Sequence, residues 1–274
     1  MAGAATARAK SIASKVKERI GEHNLTLVAA GVAFYAFLAL VPALIAFVSI
    51  YGLFSSPEDV ERQIKDIGSL PDEVQRFLTY QLTQIVDANS SGVTVAAAVA
   101  IALALWSASG GMAALITAIH IAHERDEPKS FVVKKGKALA LTIGAIVFLG
   151  VVLFLIVAVP PLASDVAGDA GRVAFEILRW PILAAAMLVG IGLLYRFAVK
   201  DTEGGWLGFL TPGTVVAMVA WLVVSGLFAV YTASFASYGK TYGALASIVV
   251  VLLWLWLSAV AVLIGAEVDG ADRG

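Results

Sequence analysis

Uncharged stretches recur six times along the chain, at approximately 27–54, 93–119, 138–163, 181–195, 206–235 and 242–266. A hydrocarbon core of about 30 Å takes about 20 apolar residues in a helix, so each stretch is predicted to be a transmembrane helix. The fourth is short, and Arg179 and Arg196 at its ends can snorkel to the two interfaces to complete it. Two further segments have a helical rather than a spanning pattern. In "RAKSIASKVKERI" (8–20), Ile12, Val16 and Ile20 recur every four residues among Arg8, Lys10, Lys15, Lys17 and Arg19. That pattern predicts a basic amphipathic helix lying on an anionic membrane surface. After Pro71, "DEVQRFLTYQLTQIV" places Val74, Phe77, Leu78, Leu82 and Ile85 on one helical face, with Asp72 and Glu73 in the first turn. This predicts an amphipathic helix on the outer side.

The expected fold is therefore all-α and polytopic. Residues 1–26 form a basic N-terminal segment, 27–270 a six-span domain with the outer segment 55–92, and 271–274 a short tail. Composition agrees, since 60% of residues are hydrophobic and only 14% are charged, against roughly a quarter charged in soluble domains. The formal net charge of −1 gives no cationic face for nucleic acid. Charge placement matters more than charge sum. The N-terminal segment, the loop with Arg125, Lys129, Lys134, Lys135 and Lys137, and the connection with Lys200 are basic, whereas the alternate connections are poor in lysine and arginine. The positive-inside rule then predicts both termini in the cytoplasm.

Helices in lipid associate through close packing, which small residues permit. The second span offers Ser107, Gly110 and Gly111, and the sixth carries Gly243, Ser247, Ser258, Ala261 and Gly265 along one face with Trp254. Pro42 falls well inside the first span, where it removes a backbone hydrogen bond and predicts a kink. Pro212 is expected to open the fifth span. Trp106, Trp221, Trp254 and Trp256 fall near the middle of their spans, where each indole N–H needs a partner. Two arrangements stay open: a partly wet, aromatic-lined cavity, or dry packing with the N–H groups bonded to serines or carbonyls. Pro42, Trp106, Ser107, Gly110, Gly111, Trp221, Ser247, Trp254 and Ser258 are accordingly the candidate lining of a groove or cavity, and Arg179, Arg196 and Glu267 the candidate headgroup or interface contacts.

Recognisable catalytic chemistry is missing. The chain has no cysteine and lacks the phosphate-binding loop, the nucleophile elbow and the metalloprotease and dinucleotide motifs. His120 and His123, beside Glu124, share a helix face, which is too little for a metal site and reads as a polar helix end. No cofactor and no metal are expected. The predicted span cores hold no Lys, Arg, Asp or Glu, which disfavours coupling through a buried acid. Glu267 follows the sixth span and reads as a hydrated acid that sets helix depth.

The stretches "AGVAFYAFLALVPALIA" (30–46), "LWSASGGMAALITAIH" (105–120) and "RWPILAAAMLVGIGLLYRF" (179–197) resemble the YihY/BrkB family of bacterial inner-membrane proteins. The most specific block is 205–270, with Pro-Gly opening a span, Tyr-Gly before the next, then Leu-Leu-Trp and Gly-Ala-Glu. The chain departs from the family in Leu40-Val41-Pro42, where relatives often carry a serine. The resemblance implies a six-helix, multi-pass inner-membrane protein, not an enzyme, associated with envelope integrity and in some members with virulence. An old ribonuclease label on some members looks mistaken. Links of some relatives to lipid export imply a transporter or flippase of an amphipathic or lipid-linked molecule. The alternative is a scaffold that binds an envelope partner through 55–92. Membrane lipids, a second copy of the chain or an envelope protein are the partners expected.

Overall fold

A computed structural model describes residues 2–52, 95–126, 130–199, 208, 210–235 and 244–273. Every element among them is helical: α1 (Ala2–Glu22), α2 (Leu25–Gly52), α3 (Val95–Ala122), α4 (Phe131–Val199), α5 (Pro212–Phe235) and α6 (Ala244–Arg273). Five stretches are long and apolar enough to cross a membrane: Ile101–Ala122, Phe131–Val152, Pro181–Val199, Pro212–Thr232 and Ile248–Asp272. The pair Lys10–Glu22 and Leu25–Leu40, bent by 65°, raises the number to six if it forms one span. The outer amphipathic helix expected within 55–92 lies outside the described residues.

The third and fourth expected spans belong to one helical element, α4, which folds back on itself. Lys137 Nζ donates to the Ala198 carbonyl, 61 residues away, and the Phe148 ring lies 3.1 Å from where a Cβ on Gly190 would stand. In a straight helix the first pair would be about 90 Å apart. The midpoint of each pair falls close to residue 168, between the third and fourth expected spans. α5 and α6 likewise run antiparallel, because Thr211 meets Asp269, Gly213 meets Gly265 and Trp221 meets Ser258.

The chain divides into two compact units, one comprising residues 1–37 and 111–274, the other 38–110. In the larger unit the core lies toward one end of the helices. Its buried residues come from the start of α2 (Leu25, Ala29, Val32), the end of α3 (Ile116, Ile119, Ala122) and the outer limits of α4 (Ala138, Ile191, Tyr195, Ala198). Ala217 near the start of α5 and Ala259, Leu263 and Ala266 near the end of α6 complete it. Outward-facing apolar side chains are exposed along the helices, both at that end (Leu27, Val132, Phe197) and away from it (Val147, Leu227, Val230, Val249). In a bilayer such apolar exposure costs nothing, so these side chains face lipid without penalty.

Two elements differ from expectation. α6 does not stop at 266 but continues through Glu267, Asp269 and Asp272 to Arg273, because two of those acids have partners inside the protein. α1 does form a helix, yet Val16 on its apolar face is buried, Ile20 packs against the core and α1 lies against α6. Its apolar face is therefore taken up by protein, which leaves its exposed Lys10, Lys15 and Lys17 facing outward.

Candidate functional site

Residues 265–270, Gly-Ala-Glu-Val-Asp-Gly, hold the closed end together. On a helix of 3.6 residues per turn, Gly265 and Asp269 share one face while Glu267 and Gly270 share the opposite one. The first face meets α5, the second α1 and α3.

Glu267 is the largest departure from the sequence reading. It is 1% exposed rather than hydrated. Its Oε2 accepts from Arg19 Nε at 2.9 Å, and its Oε1 lies 2.6 Å from His23 Nδ1. A carboxylate removed from water needs both a counter-charge and hydrogen bonds, and one turn of α1, with Arg19 and His23 at i and i+4, supplies them. The Arg19 fork makes two further contacts. Nη2 donates to the Ala122 carbonyl at 2.8 Å and Nη1 lies 2.9 Å from Glu124 Oε1. Ala122 ends α3, so this carbonyl is one that the helix cannot satisfy itself. The chain leaves α3 through Glu124 at φ 47°, with Arg125 N–H donating to the His120 carbonyl and Glu124 N–H to the Ile121 carbonyl. This is a Schellman-type ending built on a glutamate rather than a glycine. Gly270 completes the arrangement, because a Cβ there would lie closer than 3.0 Å to the Ala122 carbonyl oxygen and to Arg19 Nη2.

On the opposite face, Asp269 is 2% exposed and caps α5 from another helix. Thr211 Oγ1 donates to its Oδ2 at 2.5 Å and Gly213 N–H to its Oδ1 at 2.8 Å. Pro212 has no N–H to offer at the first helical position, and Thr211 and Thr214 bond each other's backbone N–H groups through their hydroxyls. An acid at a helix N-terminus also meets the favourable end of the macrodipole. Gly213 and Gly265 bring the two backbones together. A Cβ on either would overlap the other's carbonyl oxygen, and one on Gly265 would also press on Tyr195 Oη. Tyr195 in turn donates to the Val262 carbonyl, tying the second arm of α4 to α6.

The candidates named from sequence divide between the two units. Pro42, Trp106, Ser107 and Gly110 belong to residues 38–110, where Trp106 and Ser107 are exposed and the neighbouring Ser109 hydroxyl donates to the Trp106 carbonyl at 2.7 Å. Gly111, Trp221, Trp254 and Ser258 belong to the other unit. There Gly111 passes so close to α2 that a Cβ would stand 3.2 Å from Ala36 Cα. Trp221 Nε1 donates to Ser258 Oγ at 3.1 Å, and the Trp221 and Trp254 rings meet edge to face with centroids 6.1 Å apart. Trp256 Nε1 donates to the Thr26 carbonyl at 3.0 Å. The indole N–H groups of Trp221 and Trp256 are thus bonded within the protein. Arg196 is half-buried near the closed end, and the side chains of Arg179 and Ser247 lie outside those described.

His120 is buried, and His123 Nδ1 lies 3.0 Å from the Ile119 carbonyl with its ring against Tyr195. Among the described residues no group of three or more His, Cys, Asp or Glu is arranged to hold a metal ion. The residues that sequence reading overlooked as site members are Arg19, His23, Tyr195, Thr211, Gly213, Asp269 and Gly270. The available signal was the pairing of i, i+4 spacings, Arg19 with His23 and Gly265 with Asp269, at the two ends of the chain.

Residues 16–271 match the family model described as virulence factor BrkB, a range that includes Arg19 and His23 as well as Glu267. The chain is similar to a putative ribonuclease-like protein, YfkH, of Bacillus subtilis (33% identity over 171 residues, 61% of this chain and 62% of the relative). It is also similar to a UPF0761 membrane protein of Verminephrobacter eiseniae (27% identity, 94% of this chain and 61% of the relative). A UPF0761 membrane protein of Xanthomonas oryzae matches at 35% over 83 residues, 30% of this chain and 19% of the relative. The chain spans about three fifths of the length of the first two relatives. No solved structure matches it.

Proposed function

Since the chain belongs to the BrkB family of multi-pass bacterial membrane proteins, not a known enzyme family, we propose that it supports the cell envelope by moving an amphipathic lipid between leaflets. The observation that carries this reading is the gathering of the buried core and its polar bonds at one end of the larger unit, with apolar side chains exposed along its described helices. A lipid headgroup enters between helices away from the closed end while its acyl chains stay in the bilayer, and the closed end stops passage to the other side. Mid-span polar atoms support a path between the two levels. Ser225, one turn along α5 from Trp221, has a buried hydroxyl without a hydrogen-bond partner among the described residues, and Trp221 and Ser258 lie nearby. Arg19, Lys134, Lys135, Lys137 and Arg196 all belong to the closed end, which supports its assignment to the cytoplasmic side.

The test is reconstitution in liposomes carrying a fluorescent phospholipid, with a membrane-impermeant quencher reporting which leaflet holds it. Folded protein is expected to speed exchange above protein-free vesicles. Rates equal to those of empty vesicles across the native phospholipid classes contradict transport and leave a scaffold.

A further inference from the structure

The contacts of α1 point to a conformational device, and we propose that α1 is a releasable polar latch that holds the closed end shut. α1 and α2 are separate rods joined at one turn. Asn24 takes a left-handed φ of 47°, its N–H donates to the Gly21 carbonyl that ends α1, and its carbonyl accepts from Leu27 and Val28 as α2 begins. Asparagine tolerates this conformation better than most residues, so the junction is a built hinge rather than a strained one. Beyond the hinge, the described part of α1 is held by one short apolar stripe and by polar bonds. Val16 is buried, Ile12 and Ile20 only partly, and the remaining hold is polar: Arg19 and His23 on Glu267, with Arg19 also on Ala122 and Glu124. Those bonds join three helices through one guanidinium. Its outer edge meets Glu124, whose side chain is 62% exposed, so water reaches the clasp from that side. A hold that is largely polar, hinged and wet at its rim can open while exposing only the short stripe around Val16, and its loss removes the tie that Arg19 makes between the ends of α3 and α6. For transport, release of the latch is the step that opens the closed end, and this consequence rests on the proposed function.

The chain has no cysteine, so spin labels can be placed at will. Cysteines at Lys17 and Ser130, both exposed, report the distance from α1 to the start of α4 in reconstituted full-length protein. The parent chain is expected to give one narrow distribution. Glu267→Gln, which removes the charge, and Arg19→Lys, which keeps the charge but loses the fork, are each expected to add a second population. Its shift is on the order of 10 Å, set by the arm from Lys17 to the hinge at Asn24 at 1.5 Å per residue. Arg19→Lys gives the reading should Glu267→Gln fail to fold. Unchanged distributions in folded variants overturn the latch and make α1 a fixed buttress. Release without lipid exchange in either state contradicts transport and leaves the latch standing.

Discussion

Glu267→Ala is expected to lower the free energy of unfolding in mild detergent by about 3–5 kcal/mol, the loss usual when one member of a buried ion pair is removed. The wild-type carboxylate is 1% exposed and is met by Arg19 on α1 and by His23 in the turn that follows it. The substitution leaves the Arg19 guanidinium, 14% exposed, facing a void without its counter-charge, and takes away the partner of His23 Nδ1. Arg19 retains the Ala122 carbonyl and Glu124, which is why α1 is expected to loosen before the bundle separates. Glu124→Ala is the contrasting change. That carboxylate is largely solvated, and such pairs contribute about 0–1 kcal/mol, so its loss is expected to be small. Equilibrium unfolding monitored by tryptophan fluorescence compares the two. Equal losses from Glu267→Ala and Glu124→Ala would mean that burial of Glu267 carries no energetic weight.

Gly213→Ala and Gly265→Ala are expected to be the most damaging single-methyl additions. Overpacking a filled interior costs about 1–3 kcal/mol and sometimes more, because side chains move off rotamer or backbones shift. Here the atoms in the way are backbone carbonyls on the facing helix, along with the Asp269 carboxylate and Tyr195 hydroxyl, none of which is a flexible chain end. Separating α5 from α6 to make room also pulls Asp269 from the α5 N-terminus and breaks the cap. Gly226→Ala, on the same helix with nothing within 4 Å of its Cβ, is the matched control. It is expected to be neutral or slightly stabilising, since alanine is favoured over glycine in a helix by up to about 1 kcal/mol. Size-exclusion profiles and thermal midpoints of the three variants give the ranking. Gly213→Ala behaving like Gly226→Ala would contradict the close approach of α5 and α6.

The helices were legible from hydrophobic run length, because a membrane span is fixed by bilayer thickness more than by its partners. α2, α3, α5 and the two arms of α4 fall where the uncharged runs lie, and Pro212 opens α5 as its fixed φ and missing N–H suggest. The small-residue face of α6 was legible as well, since only glycine at 265 permits the contact with Gly213. Glu267 and Asp269 were not. A carboxylate just past an apolar run has the same local sequence whether it is hydrated at an interface or buried against another helix. What decides between these is a cation 248 residues away on α1, and one-dimensional reading carries no information about that distance. The same reason hid what α1 packs against, since its apolar stripe fits a lipid surface and a protein surface equally well. Its resolution came from the facing element, not from its own period.

Arg19 and Glu267, 248 residues apart, join α1 to α6 at the closed end of the bundle. A double-mutant cycle on Arg19→Ala, Glu267→Ala and the double variant, read by unfolding in detergent, tests it most directly. Residues in one ion-pair network couple by about 0.5–3 kcal/mol, and the pair is expected to fall in the upper half of that range because Glu267 is buried. A coupling energy of zero within error, with all three variants folded, would contradict it.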